Sequence, residues 1–247
     1  MAKKFLQNWI STLRHNLSLQ SQSSHEFNSS PYEIRSIKIQ SIDKFSSSKI
    51  GFIKLKAEIK NKDDESLPGS VFLRGPSVGM MILLQPDDLP QGCKEEKHVI
   101  LTVQPRIPAG TLRLVELPAG MVDDGTFSGS AAKEIEEELG LSIPESELTN
   151  ISELAVPTQE GGENLPQAMF PSAGGSDEYV PIFLHEKRVK RETLKEWTGK
   201  LTGLREHGEK ITLKLVKLDD LWKEGGRDSK ALAAYAMYEG LKREGKL

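Results

Sequence analysis

From Val71 onward the chain carries four closely spaced apolar runs, VFLRG, VGMMILL, HVILTVQ and TLRLVELPA, in which hydrophobic residues follow one another with little alternation. A strand of that kind has no face to offer to water, so the sheet it joins must be covered on both sides. Covering material lies downstream. Between Gly129 and Gly140, Ala131, Ala132, Ile135 and Leu139 recur at helical spacing, and a last helix is expected from about Asp228 to Arg243. Further strand candidates fall near 151–156, 179–184 and 211–217. The expectation is an α+β fold with a mixed sheet between helices.

The part before Val71 is patterned differently. YEIRSIKIQSI and IGFIKLKAEI alternate apolar and polar residues, as on a half-buried antiparallel sheet. Ahead of them lie a helix with an apolar face of Phe5, Leu6, Trp9, Ile10, Leu13 and Leu17 and a Ser-, Gln- and Asn-rich linker over 18–31. The expected organisation is therefore an N-terminal helix, linker and antiparallel strands over 1–66, followed by a larger mixed-sheet domain over 67–247.

At 247 residues, 37% hydrophobic and 28% charged, the chain reads as an ordinary globular protein with room for a full core. A net charge of -3 gives no electrostatic case for nucleic acid or an anionic membrane as partner. No apolar run approaches the roughly 20 residues that span a bilayer. One cysteine, Cys93, excludes an intrachain disulfide framework. The first 25 residues hold Lys3, Lys4 and Arg14 but no acid, as in an organelle transit peptide. Their apolar face would equally serve to dock on the protein, and a cytoplasmic location is the expectation.

The helix over 129–140 gathers Glu134, Glu136, Glu137 and Glu138 within five positions. At 100° per residue Glu134, Glu137 and Glu138 share a face and Glu136 points elsewhere. Carboxylates three and four apart repel by a few tenths of a kcal/mol per pair. A hard divalent cation with a preference for oxygen ligands would reverse that penalty, whereas an isolated acidic run is more often a solvated face.

The flanks decide between these. LPAGMVDDGTFSGSAAKEIEEELGL, ending in Lys133, Glu134, Ile135, Glu136, Glu137, Glu138, Leu139, Gly140 and Leu141, resembles the box of the Nudix hydrolases. KIGFIKLKAEI, FLRGPSVGMMILL, PRIPAG, FPSAGGSDE, GLREHGE and YEGLKREG are similar to the branch that hydrolyses ADP-sugars and ADP-ribose, and Pro157 stands sixteen positions past the box, as in the ADP-ribose enzymes. The resemblance implies a Nudix α/β/α sandwich and Mg²⁺-dependent hydrolysis of a nucleotide sugar, with Mn²⁺ a possible substitute. Three departures stand out: Lys133 in place of the box arginine, a loop from Gly120 one residue short, to be tied through Asp123 or Asp124, and Val103 before Gln104 where relatives carry a glutamate. Lysine lacks the paired, planar contact of arginine.

Residue by residue, the resemblance implies that Glu134 and Glu138 ligate metal, that Glu137 ligates or orients them, and that the Ala119 carbonyl completes the site. In GLREHGE, Glu209 falls on a further ligand place. The general base is Glu206, His207 or Glu178, with Glu206 ranked first. Arg74 and Arg106 are to hold phosphate oxygens with their paired donors, Gly174 and Gly175 let a loop pass the sugar, and Phe52 stacks on adenine. The implied assembly is a homodimer with shared active sites. Two alternatives remain: hydrolysis of UDP- or GDP-sugars, and a catalytically weak module that binds nucleotide sugars.

Overall fold

The computed structural model describes residues 2–47, 50–91, 93, 95–122, 126–158, 162–203 and 210–247. They form two compact units, Met1–Pro76 with Pro157–Tyr179, and Ser77–Val156 with Val180–Leu247.

The first unit is a helix on an antiparallel sheet. Strand β1 (Glu33–Lys44) pairs with β2 (Ile50–Lys60), which also pairs with the short β3 (Ser66–Leu67) and with β4 (Ser70–Leu73). Alternation along β2 sends Ile53, Leu55, Ala57 and Ile59 into a core with Leu73 and Phe5, and leaves Lys54, Lys56 and Glu58 exposed. Helix α1 (Ala2–Ser18) packs Leu6, Trp9, Leu13 and Leu17 against that core. The apolar face of the N-terminal segment is thus used in folding. The polar segment after it is pinned by the buried Gln20, whose amide donates to the Leu17 and Tyr32 carbonyls at 2.8 and 3.0 Å and accepts from the Tyr32 N–H at 2.7 Å.

In the second unit β5 (Ser77–Pro86), β6 (His98–Arg106), β7 (Thr111–Glu116), β8 (Ala119–Met121), β9 (Thr149–Asn150), β10 (Ile182–Val189), β11 (Leu201–Thr202) and β12 (Ile211–Lys217) make one sheet. Its spine runs β11-β12-β6-β5-β10-β9, with β7 on β6 and β8 on β5. Only the β5–β10 pairing is parallel, so the sheet is mixed.

Successive side chains of the central strands enter opposite cores, the arrangement that unalternated apolar runs require. Met81, Leu83, Val99, Leu101, Ile182 and Leu184 face one layer of helices, where α6 (Ser229–Arg243) contributes Ala231, Ala234, Tyr238 and Leu241, with α3 (Ile151–Ala155) and α5 (Leu221–Glu224) beside it. Met80, Ile82, Leu84, Ile100, Phe183 and Leu213 face the other, made by α2 (Phe127–Glu134) and α4 (Arg191–Trp197). This is the α/β/α sandwich. The strand expected near 151–156 is α3 instead. Asn150 caps it, its side chain accepting from the Glu153 N–H at 3.2 Å, and a capped start turns a short apolar segment toward helix.

Candidate active site

Helix α2 begins with the Thr126 hydroxyl accepting from the Gly129 N–H at 3.0 Å. After Glu134 it widens into a π-helical turn, Ile135–Leu139, and closes at Gly140 with φ 68, a left-handed angle that glycine adopts without strain. Ala131, Ile135 and Leu139 are buried in the sandwich, which fixes the opposite side of the helix toward the polar residues.

The widening changes how the glutamates are arranged. A π turn holds about 4.4 residues, so residues four apart stay within about 35° of one another while those three apart are offset by about a third of a turn. Glu134 and Glu138, four apart, share a face, and the Glu137 carboxylate lies 3.6 Å from the ammonium of Lys133, the residue four before it. Exposure agrees: Glu138 is 6% exposed, Glu134 and Glu137 are partly buried, and Glu136 faces solvent. Lys133 therefore still serves the box, as a counter-charge to Glu137 rather than as a two-pronged clamp.

Strand β8 carries the LPAG segment past this helix. A Cβ placed on Gly120 would overlap the Glu134 carboxylate, so glycine is what allows the backbone beside Ala119 to lie against that side chain. The Ala119 carbonyl and the Glu134 and Glu138 carboxylates are oxygen donors of the kind Mg²⁺ takes. Among the described residues no three His, Cys, Asp or Glu side chains are drawn together as a ready-made ion cage. Glu209, the fourth expected ligand, lies outside the described residues, as do Glu206, His207, Asp123 and Asp124.

Arg106, at the end of β6, belongs to an ion network that no motif or spacing in the sequence marks. Its Nε donates to Glu116 Oε1 at 2.7 Å, across the β6–β7 hairpin. The other Glu116 oxygen receives Lys230 Nζ at 3.2 Å, Lys230 also donates to Asp228 Oδ1 at 2.9 Å, and Asp228 Oδ2 accepts the Leu117 N–H at 2.7 Å. Glu116 is 2% and Asp228 6% exposed. Burial opposes the charge on Lys230, but Asp228 and Glu116 outweigh it and hold the ammonium above the ordinary lysine range. The Arg106 side chain stays 39% exposed, so the guanidinium is anchored without being enclosed.

The first unit assembles a separate cluster. The segment before Tyr179 is stitched to β4 by the Phe72 N–H donating to the Gly175 carbonyl at 2.8 Å and by a parallel bridge between Phe72 and Ser176. Asp177 Oδ1 accepts the Arg74 and Gly75 N–H groups at 2.8 and 3.2 Å. Burial raises the Asp177 carboxyl above its usual range against the pull of those two donors. Arg74 Nη1 lies 3.2 Å from Glu178 Oε2. Four of the expected residues, Arg74, Glu178, Gly174 and Gly175, thus come together, and the space over both glycines is open, since an added Cβ at either would meet nothing within 4 Å. Phe52 lies on the face of β2 away from the core. Its ring is 5.1 Å from those of Phe45 and Phe72, which are 51% and 40% exposed, so it is a surface aromatic and not a core one.

The NUDIX domain family model matches residues 78–235. The protein described as Nudix hydrolase 14, chloroplastic, of Arabidopsis thaliana is 39% identical over 215 residues, covering 86% of this chain. The chain spans 64% of the length of that relative. A solved structure described as the crystal structure of ADP compounds hydrolase is 14% identical, covering 87% of this chain and 99% of that chain with a TM-score of 0.49, too distant to bear on substrate or site. With the family match covering residues 78–235, more than half of the chain, and with Gly120 laid against Glu134 of the box, the chain belongs to the Nudix family.

Proposed function

We propose that the protein hydrolyses the pyrophosphate bond of ADP-sugars, ADP-ribose and ADP-glucose, to AMP and a sugar phosphate, with Mg²⁺ as its cation and Mn²⁺ as a substitute. The observation that carries this reading is the Glu134 carboxylate packed against the Gly120 backbone, with Glu138 of the same box buried, in a chain whose flanks resemble the ADP-sugar branch. Glu134, Glu138 and the Ala119 carbonyl would hold the metal, with Glu209 as a further ligand. When bound, a divalent cation neutralises the two bridging phosphates and lowers the pKa of water.

The protein's own groups do the rest. Arg106 presents its paired donors to phosphate oxygens, held in plane by Glu116. Arg74 is a second phosphate ligand, paired with Glu178. The base that takes the water's proton is Glu206, with His207 and Glu178 as the alternatives. Glu137, paired with Lys133, keeps the ligand carboxylates oriented. Phe52, in its exposed aromatic cluster, stacks on adenine, and the long β1 edge joins a second copy of the chain.

The test is product analysis over ADP-ribose, ADP-glucose, UDP-glucose and GDP-mannose with Mg²⁺. AMP with ribose 5-phosphate or glucose 1-phosphate is the expected result. Free ADP as the main nucleotide product, or turnover only of the UDP or GDP compounds, would overturn the assignment. Binding without turnover would make the protein a nucleotide-sugar binding module.

A further inference from the structure

The Arg106–Glu116–Lys230–Asp228 network does more than balance charge. Two carboxylates and two cations are arranged in a chain, with each buried carboxylate using both oxygens. At one end the chain terminates on the Nε of Arg106; at the other it terminates on the N–H of Leu117, two residues before Ala119. Between them Glu116 is itself the residue next to Leu117, so the same short stretch is fixed by its side chain on one side and by its backbone on the other.

Binding Nε sets the plane of a guanidinium and leaves its two terminal nitrogens as a fork. A lone arginine on a hairpin would lose rotamer entropy on gripping phosphate, and an arginine already held by a buried carboxylate has lost it beforehand. We infer that Glu116, backed by Lys230 and Asp228, is a positioning residue that pre-sets Arg106 as a phosphate fork and ties it to the backbone leading into Ala119. This inference rests on the ADP-sugar hydrolase reading. Lys230 is needed because a carboxylate 2% exposed with one cation at one oxygen would be poorly compensated. Asp228 in turn compensates Lys230 and caps α6, accepting the Lys230 N–H at 3.1 Å.

The experiment compares full-length Glu116→Gln, Arg106→Ala, the double variant and Lys230→Met. Steady-state kinetics with ADP-ribose and Mg²⁺ are measured alongside thermal unfolding and calorimetric titration with ADP-ribose in the presence of Ca²⁺. Glu116→Gln and Lys230→Met each break two ion contacts of the network, but only the first releases Arg106. Glu116→Gln is expected to raise KM and the calorimetric Kd about tenfold, the scale of one well-placed charge-assisted contact, with kcat changed less than about threefold. In the Arg106→Ala background the same substitution should move neither constant further. Lys230→Met should lower the unfolding temperature at least as much as Glu116→Gln while raising KM less. An active wild type with equal KM changes in Glu116→Gln and Lys230→Met, or with additive effects of Glu116→Gln and Arg106→Ala, overturns the positioning role alone. A wild type that neither cleaves nor binds ADP-ribose overturns the hydrolase reading and the positioning role with it.

Discussion

Four glutamates in five positions are chemically identical and structurally unequal, because the helix that carries them buries one side. Glu138 is buried and shares a face with Glu134, Glu137 is partly buried and pairs with Lys133, and Glu136 is left in solvent. Glu138→Gln and Glu134→Gln should each lower kcat/KM by more than about a hundredfold, beyond the usual effect of a residue that only supports a metal ligand. Glu136→Gln should retain most activity, and equal sensitivity at 136 and 138 would contradict the alignment. Gly120→Ala makes a sharper test, since its Cβ would displace the Glu134 carboxylate without touching the core. It should match Glu134→Gln in kinetics while unfolding near the wild-type temperature. The acidic run, its glycine brackets and the exposed Glu136 were all legible in the sequence. The π turn was not, because a wheel drawn at 100° per residue presumes the α geometry that the chain abandons at Ile135.

At the scale of elements, what the sequence revealed was whatever depended on periodicity. Two of the four unalternated runs, VGMMILL and HVILTVQ, became strands buried on both faces. VFLRG instead joined the sheet of the first unit with Phe72 40% exposed, and TLRLVELPA became β7 with Leu112 70% exposed, because each lies at the margin of its sheet. The alternating runs became the sheet of the first unit. The misreading at 151–156 shows the limit: ISELAV places apolar residues at spacings that suit either period, and the choice was made by a cap on Asn150. Pairings across long separations were hidden in the same way, Arg106 with Glu116 across a hairpin and Asp228 with Leu117 across the sandwich. Caps and ion networks are testable separately from catalysis. Thr126→Ala should cost about 1 kcal/mol of stability, with Thr126→Ser recovering most of it, as read from urea unfolding. For Lys230 the folded pKa is raised, so its stabilisation is complete below the unfolded value of about 10.4 and is lost as pH rises through the folded one. The stability difference between the wild type and Lys230→Met should hold steady from neutral pH to about 10 and shrink above it.

For the molecule as a whole, the open question is what covers the first unit. Strand β1 runs twelve residues along the edge of its sheet and, among the described residues, pairs on one side only, with β2. An edge of that length is normally blunted or joined by another chain. Ile39 and Ile42 stand opposite Leu55 and Ile53 in register, on the face that α1 covers further along, yet they are 47% and 45% exposed. Removing residues 1–62 would be an uninformative test, since Phe5, Ile53, Leu55 and Ile59 build the core of the unit. Ile39→Asp with Ile42→Asp leaves that core intact and places two charges on the uncovered face. In a two-fold dimer each substitution acts twice, once in each subunit. Light scattering should report a wild-type dimer and a monomeric double variant. If each adenine pocket needs Phe52 from the opposite subunit, the monomer should show a raised KM for ADP-ribose, as should Phe52→Ala within an intact dimer, where losing one stacked ring would cost about 1 to 3 kcal/mol. A wild-type monomer with full activity would remove the shared-site assembly, while the roles of Glu134, Glu138 and Arg106, all within the second unit, would stand.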